Sequence, residues 1–229
     1  NMKKQFLLLS LLIASLHVAL GQFVTIPDPN FRIFLKKKYP SCFNSNDEMN
    51  IECSGIKNAT TLDVAYENIN DLEGIMYFTS LAELICNGNN LNYLINLPEN
   101  LTLLVCDDNP IFSIASLPTS LTYISCINNR LHSLPSLPES LTRLDCSSNK
   151  LTSLPSLPAN LTRLDCSSNQ LTYLPSLPTS LTNLNCSSNE LTSLPLLSTS
   201  MTLLGCSSNQ LTSLPQLPSS LLTLSCGNN

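Results

Sequence analysis

Eight cysteines stand exactly one period apart, at Cys86, Cys106, Cys126, Cys146, Cys166, Cys186, Cys206 and Cys226, with twenty residues from each to the next. Thiols in such number invite metal or redox chemistry. Zinc asks for four ligands around one point, and a disulfide asks for Cβ atoms about 3.8 Å apart. If the period folds into stacked coils, the thiols form a line at the strand spacing of about 4.8 Å, which suits neither. They read instead as small buried hydrophobes, so no metal and no cofactor is expected. Three residues after each cysteine comes an asparagine: Asn89, Asn109, Asn129, Asn149, Asn169, Asn189, Asn209 and Asn229. An amide repeated in every coil is suited to satisfying backbone groups of its own coil and the next. Both columns are therefore read as a structural ladder. His132 is the one histidine after residue 21, and no G-x-S-x-G, H-E-x-x-H or glycine-rich phosphate loop is present. The chain is not expected to be an enzyme.

The repeat that positions these columns follows LxxLxCxxNxLxxLPxLPxx from Leu81 onward, as in LTRLDCSSNKLTSLPSLPAN at 141–160. In that unit Leu144 and Cys146 alternate with Arg143, Asp145 and Ser147, the period-two pattern of a half-buried strand. Leu151, Leu154 and Leu157 bring the return path back to the same core, and Pro155 and Pro158 keep it extended. A looser unit precedes these at Leu62 to Leu72, with a small insertion, since Leu62 to Leu84 is 22 residues. One coil alone cannot bury enough apolar surface to offset the entropy of ordering it; stacking coils into a shared core and a continuous ladder does so. The expected fold is a solenoid of eight or nine coils, with a parallel sheet on one side and an extended wall on the other.

Before the repeats, Asp28-Pro29 reads as an N-cap and first helical residue. Phe31, Phe34 and Leu35 form the apolar stripe of a short helix, Lys36-Lys37-Lys38 suit its C-terminal end, and Pro40 stops it. Such a helix would cover the open end of the first coil. Cys42 and Cys53 lie outside the thiol column. A disulfide tying down this cap is favoured; the alternative is two free or partly buried thiols. Residues 1–21 carry Lys3-Lys4, the apolar run Phe6 to Leu20 and small residues before Gln22, the pattern of a secretory signal peptide. The domain reading is thus a signal peptide at 1–21, a cap at 22–58 and repeats at 59–229. The repeats break off midway through a unit, which reads as truncation. Location outside the cytoplasm, secreted or at the cell surface, follows, with no membrane span in the mature chain.

At this point the residues carry a family likeness. LxxLxCxxNxL resembles the leucine-rich repeat motif, with Cys at its third apolar position. The resemblance implies a right-handed solenoid of the α/β leucine-rich repeat class, with the parallel sheet on the concave face, an extended, polyproline or 3-10 convex face, and a short helical N-terminal cap. The twenty-residue length and LPxLP return are similar to repeats of secreted effectors from enteric pathogens, and the thiol column resembles that of internalin-type adhesins. IPDPNFRIFLKKKYP at 26–40 resembles the N-terminal region of secreted leucine-rich proteins of the Bacteroidetes type.

Repetition fixes the inward positions, so recognition belongs on the outward strand positions. Ile85, Leu103, Val105, Tyr123 and Ile127 are expected to form an apolar patch there. Arg143, Asp145, Arg163 and Asp165 are expected beside it as an alternating charge lattice, either a partner site or a set of mutual salt bridges. Rows of Thr at positions two and twelve would suit an ice-binding face, though strand propensity and local hydrogen bonds explain them more simply. Without Lys3 and Lys4 the chain has 9 basic and 16 acidic residues, a formal charge of −7, and no basic stripe for nucleic acid. The expected function is non-catalytic binding of a protein ligand or surface glycan. A structural or surface-coat role is the alternative, and the repeat portion of an effector whose catalytic domain lies elsewhere is a distant one.

Overall fold

The structure, a computed structural model, describes residues 22–229; the expected signal peptide at 1–21 lies outside them. A cap opens the chain: β1 (Phe23–Val24), α1 (Pro29–Lys38), β2 (Met49–Asn50) antiparallel to β1, and a single helical turn α2 (Ser54–Lys57). Asp28 starts α1 by accepting from the backbone N–H groups of Asn30 and Phe31, both at 2.9 Å. This satisfies two of the donors a helix start leaves open. The other Asp28 oxygen accepts from the backbone and side chain of Asn70 in the first coil, at 2.8 and 3.1 Å. One carboxylate therefore caps the helix and fastens it to the solenoid. Phe31 and Leu35 are fully buried, Phe34 packs against the core edge, and Cys42 and Cys53 are joined by a disulfide.

From Thr61 onward each coil contributes one three-residue strand: β3 (Thr61–Asp63), β4 (Glu83–Ile85), β6 (Leu103–Val105), β8 (Tyr123–Ser125), β9 (Arg143–Asp145), β10 (Arg163–Asp165), β11 (Asn183–Asn185), β12 (Leu203–Gly205) and β13 (Thr223–Ser225). All nine pair in parallel in chain order. From β4 onward the register is one full repeat, so Leu164 lies beside Leu144 and Leu184. The core is one continuous column: Leu141, Leu144, Cys146 and Leu151 are at most 2% exposed, and so are their counterparts one and two coils along. Val64 holds the thiol position in the first coil and is fully buried.

The return path departs from expectation at one point. Leu157, like Leu117, Leu137, Leu177 and Leu197, is only half-buried, while the following Pro158 is buried; Leu97 alone of this column, in the first twenty-residue coil, is in the core, and Leu217 is exposed. The coil closes through a tight turn in which Leu161 N–H donates to Pro158 C=O at 3.1 Å, and this tucks the ring inward. Two coils lack Pro at position fifteen, carrying Ile95 and Ala115. There the return path forms a second parallel pair, β5 (Tyr93–Leu94) and β7 (Ser113–Ile114), with Ala115 N–H donating to Leu94 C=O at 3.0 Å. In the next coil that position is Pro135, which has no N–H to continue the ladder.

Candidate functional site

The repeated asparagines and cysteines are committed to the scaffold, whereas the threonines of position twelve are exposed. Asn149 shows the pattern of the amide column: its Oδ1 accepts from Leu131 N–H at 3.0 Å, and its Nδ2 donates to the carbonyls of Cys126, Cys146 and Ser147 at 2.8, 3.2 and 3.1 Å. The same bonds recur at Asn109, Asn129, Asn169, Asn189 and Asn209. Asn89 accepts from two N–H groups of the first coil, Glu67 and Ile69. The thiols from Cys86 to Cys186 donate to the position-five carbonyl of the next coil at 3.4–3.5 Å. Burial pushes them far above the ordinary thiol range; Cys186 rises to about 12. Cys206 is also buried and raised, and Cys226 is exposed. Among the described residues, no three His, Cys, Asp or Glu gather where they would hold a metal.

Position two adds a further ladder. The Thr122 hydroxyl donates to Thr102 C=O, and Thr142, Thr162, Thr182 and Thr202 continue the series at 3.0–3.2 Å. Those hydroxyl protons are spent on backbone rather than aimed at water. Position twenty does similar work unnoticed in the sequence: the Ser140 hydroxyl lies 2.7 and 2.6 Å from the carbonyls of Thr119 and Leu121 in the preceding coil. Position eight holds a left-handed backbone in every coil from Gly88 to Ser208, with φ of 52° to 65°.

The solvent side of the sheet varies from coil to coil, as does the exposed position ten beyond it (Arg130, Lys150, Gln170, Glu190). Ile85, Leu103, Val105, Tyr123 and Ile127 lie together on that side of the sheet, each half-buried by its neighbours. The cap does not cover them; its hydrogen bonds to the solenoid fall on Asn68 and Asn70, at the turn. Next to this strip is a shallow concavity of about 300 Å³, lined by Tyr123, Arg143, Asp145, Arg163, Asp165, Asn183, Asn185 and Leu203 among others. Asn183, Asn185 and Leu203 were not among the expected site residues. They sit in the same two columns, positions three and five, one and two coils further along, and that is the signal that would have found them.

The alternating charge lattice does not form. The one-repeat register sets Arg143 beside Arg163 and Asp145 beside Asp165, so like charges line up along the solenoid. Among the described residues the ion pairs are Lys36–Asp47 and Lys57–Glu52, both in the cap. Each acid is instead bonded within its own column and strand. Asp145 Oδ1 accepts from the Ser147 hydroxyl at 2.8 Å, Asp165 Oδ1 from that of Ser167 at 2.6 Å, and Asp165 Oδ2 from Asn185 Nδ2 at 2.9 Å. Burial lifts the Asp145 carboxyl above its usual range; the bonds from Ser147 oppose this, and the carboxylates of Asp165 and Asp107 add to it. Arg143 lays its guanidinium over the Tyr123 ring, 4.8 Å from the centroid, a cation–π contact. The surface therefore offers an aromatic-aliphatic strip, then the arginines and carboxylates of two adjacent coils, then amides.

No protein-family model matches the sequence, and no curated protein matches it. Solved structures do. YopM from Yersinia enterocolitica is 37% identical, with a TM-score of 0.61 over 65% of this chain and 38% of that one. The functional domain of InlJ from Listeria monocytogenes, described as including a cysteine ladder, is 32% identical, with a TM-score of 0.60 over 84% of this chain and 49% of that one. YopM from Yersinia pestis, a leucine-rich effector protein, is 26% identical, with a TM-score of 0.55 over 68% and 56%. The chain thus spans between about two-fifths and just over half the length of these neighbours. With its nine parallel strands, its buried asparagines and a thiol column resembling that of InlJ, the chain has the leucine-rich repeat fold.

Proposed function

We propose that this chain is a non-catalytic recognition module of an exported protein, binding a protein ligand on the solvent face of its sheet. One observation carries the reading: the recurring leucines, cysteines and asparagines are buried and the position-two threonines are bonded to backbone, whereas the varied outward strand positions line one concavity beside an apolar strip. Tyr123 and Leu103 are the anchors, because large apolar side chains at the centre of a contact carry most of its energy. Export is supported by the basic-then-apolar pattern of residues 1–21 and by a disulfide in the cap, a bond suited to oxidising compartments.

The test is selection of displayed peptide and small-domain libraries on the full chain and on a Leu103→Ala/Tyr123→Ala variant of matched stability. Binders that enrich on the first and are lost on the second are expected. Binders indifferent to the double substitution, or no enrichment at all, would overturn the reading.

A further inference from the structure

The two arginines in the concavity are the feature that the scaffold does not explain. Arg143 and Arg163 face the same way on neighbouring strands in register, at a strand spacing of about 4.8 Å. Both are exposed, and neither makes an ion pair among the described residues. Like charges directly opposite one another weaken a sheet. The carboxylates of Asp145 and Asp165 line the same concavity but accept from Ser147, Ser167 and Asn185 and form no ion pair with either arginine. Arg143 is moreover held in place by the Tyr123 ring, which lowers the entropy lost when it binds. Two forked donors, one already positioned and both lacking an acid, fit a single bridging anion.

The surroundings say what carries that anion. On one side lie Tyr123 and Leu103, apolar and half-buried; on the other lie the amides Asn183 and Asn185. An acidic side chain next to an apolar one matches this order by charge and by polarity. Resting on the protein-binding reading above, we infer that the ligand presents an Asp or Glu carboxylate to Arg143 and Arg163, with an adjacent aliphatic or aromatic residue seated against Tyr123 and Leu103.

Binders obtained by the selection above supply the probes, as synthetic peptides followed by fluorescence anisotropy on the full chain. Enriched sequences are expected to share an acidic residue beside an apolar one. Replacing that acid by its amide, or making Arg163→Gln, is expected to weaken binding about tenfold or more, the range for a charged hydrogen bond. The two changes together should cost little more than either alone, and affinity should fall as salt rises. Arg163 is exposed and lies opposite a like charge, so the thermal midpoint of Arg163→Gln should be equal to or slightly above that of the parent.

Peptides that are lost on Leu103→Ala/Tyr123→Ala yet carry no acidic preference, or ignore Arg163→Gln, would overturn this inference and leave the binding face standing. Failure of any peptide to enrich would overturn both. A polyuronate oligosaccharide that binds through the same arginines more tightly than any peptide would overturn the assignment to protein.

Discussion

Removing one amide from the middle of the ladder puts the scaffold to a quantitative test. Asn149 is 9% exposed and bonds four backbone groups. In Asn149→Ala three of those four keep another partner: Cys126 C=O retains Asn129, Cys146 C=O retains Asn169, and Ser147 C=O retains the N–H of Asn128. Leu131 N–H retains none. An orphaned buried donor costs about 1–3 kcal/mol, and each hydrogen bond lost from the two amide protons about 0.5–1.5 kcal/mol. The expected loss is therefore about 4 kcal/mol. With a slope of about 2 kcal/mol per molar urea, that moves the unfolding midpoint down by roughly 2 M. Asn149→Asp separates acceptor from donor. It keeps the oxygen for Leu131 but turns a carboxylate toward three carbonyls, so it should be at least as harmful at neutral pH and should recover in part on acidification. Urea titrations followed by far-ultraviolet circular dichroism report both. A loss below about 1 kcal/mol for Asn149→Ala would refute the reasoning, because the amide column would then not be holding the coils together.

Three further outcomes follow from the same geometry. Replacing Cys42 and Cys53 together by Ser opens a loop with a sequence separation of 11 and should cost about 3 kcal/mol by the chain-entropy estimate, seen first as faster proteolysis of the cap. Ser168 has φ of 56°, so Ser168→Gly should preserve or raise the thermal midpoint, whereas the β-branched Ser168→Val should lower stability by about 1–2 kcal/mol. Burial pushes the Asp28 carboxyl up, but the hydrogen bonds from Phe31, Asn70 and Asn30 outweigh it and hold it below its ordinary value of 3.8. The stabilisation this lowering provides is present above pH 3.8 and is lost as the pH falls through the lower folded value. Asp28→Asn should cost about 1 kcal/mol at pH 7 and flatten that acid limb in pH-dependent melts.

The inward columns were legible in the sequence because each coil buries the same positions, so Leu144, Cys146 and Leu151 announce themselves by recurrence. The start of α1 was legible because Asp28-Pro29 combines a side-chain acceptor with a fixed φ. Other features were hidden for physical reasons. Leucine and proline are both apolar, so the pattern could not say that Pro158 goes in and Leu157 stays at the edge; the turn to Leu161 decides that. Serine at positions eight and twenty looks like filler, yet one tolerates a left-handed backbone and the other bonds the coil before it. Strict repetition also misled. Arg143-x-Asp145 followed by Arg163-x-Asp165 reads as alternating charge along the chain. Stacking at one repeat per coil sets like beside like, and the lattice becomes two rows of equal sign.

The repeats close into one stack whose thiols are sealed inside it, with the varied strand face turned to solvent. Site-resolved alkylation of the native, disulfide-intact chain with iodoacetamide, read by mass spectrometry, tests this sealing directly. Cys226 should react at once, and the seven thiols from Cys86 to Cys206 should react only on the timescale of unfolding, becoming fast together in denaturant. Prompt native labelling of Cys126, Cys146 and Cys166, in the middle of the column, would contradict it.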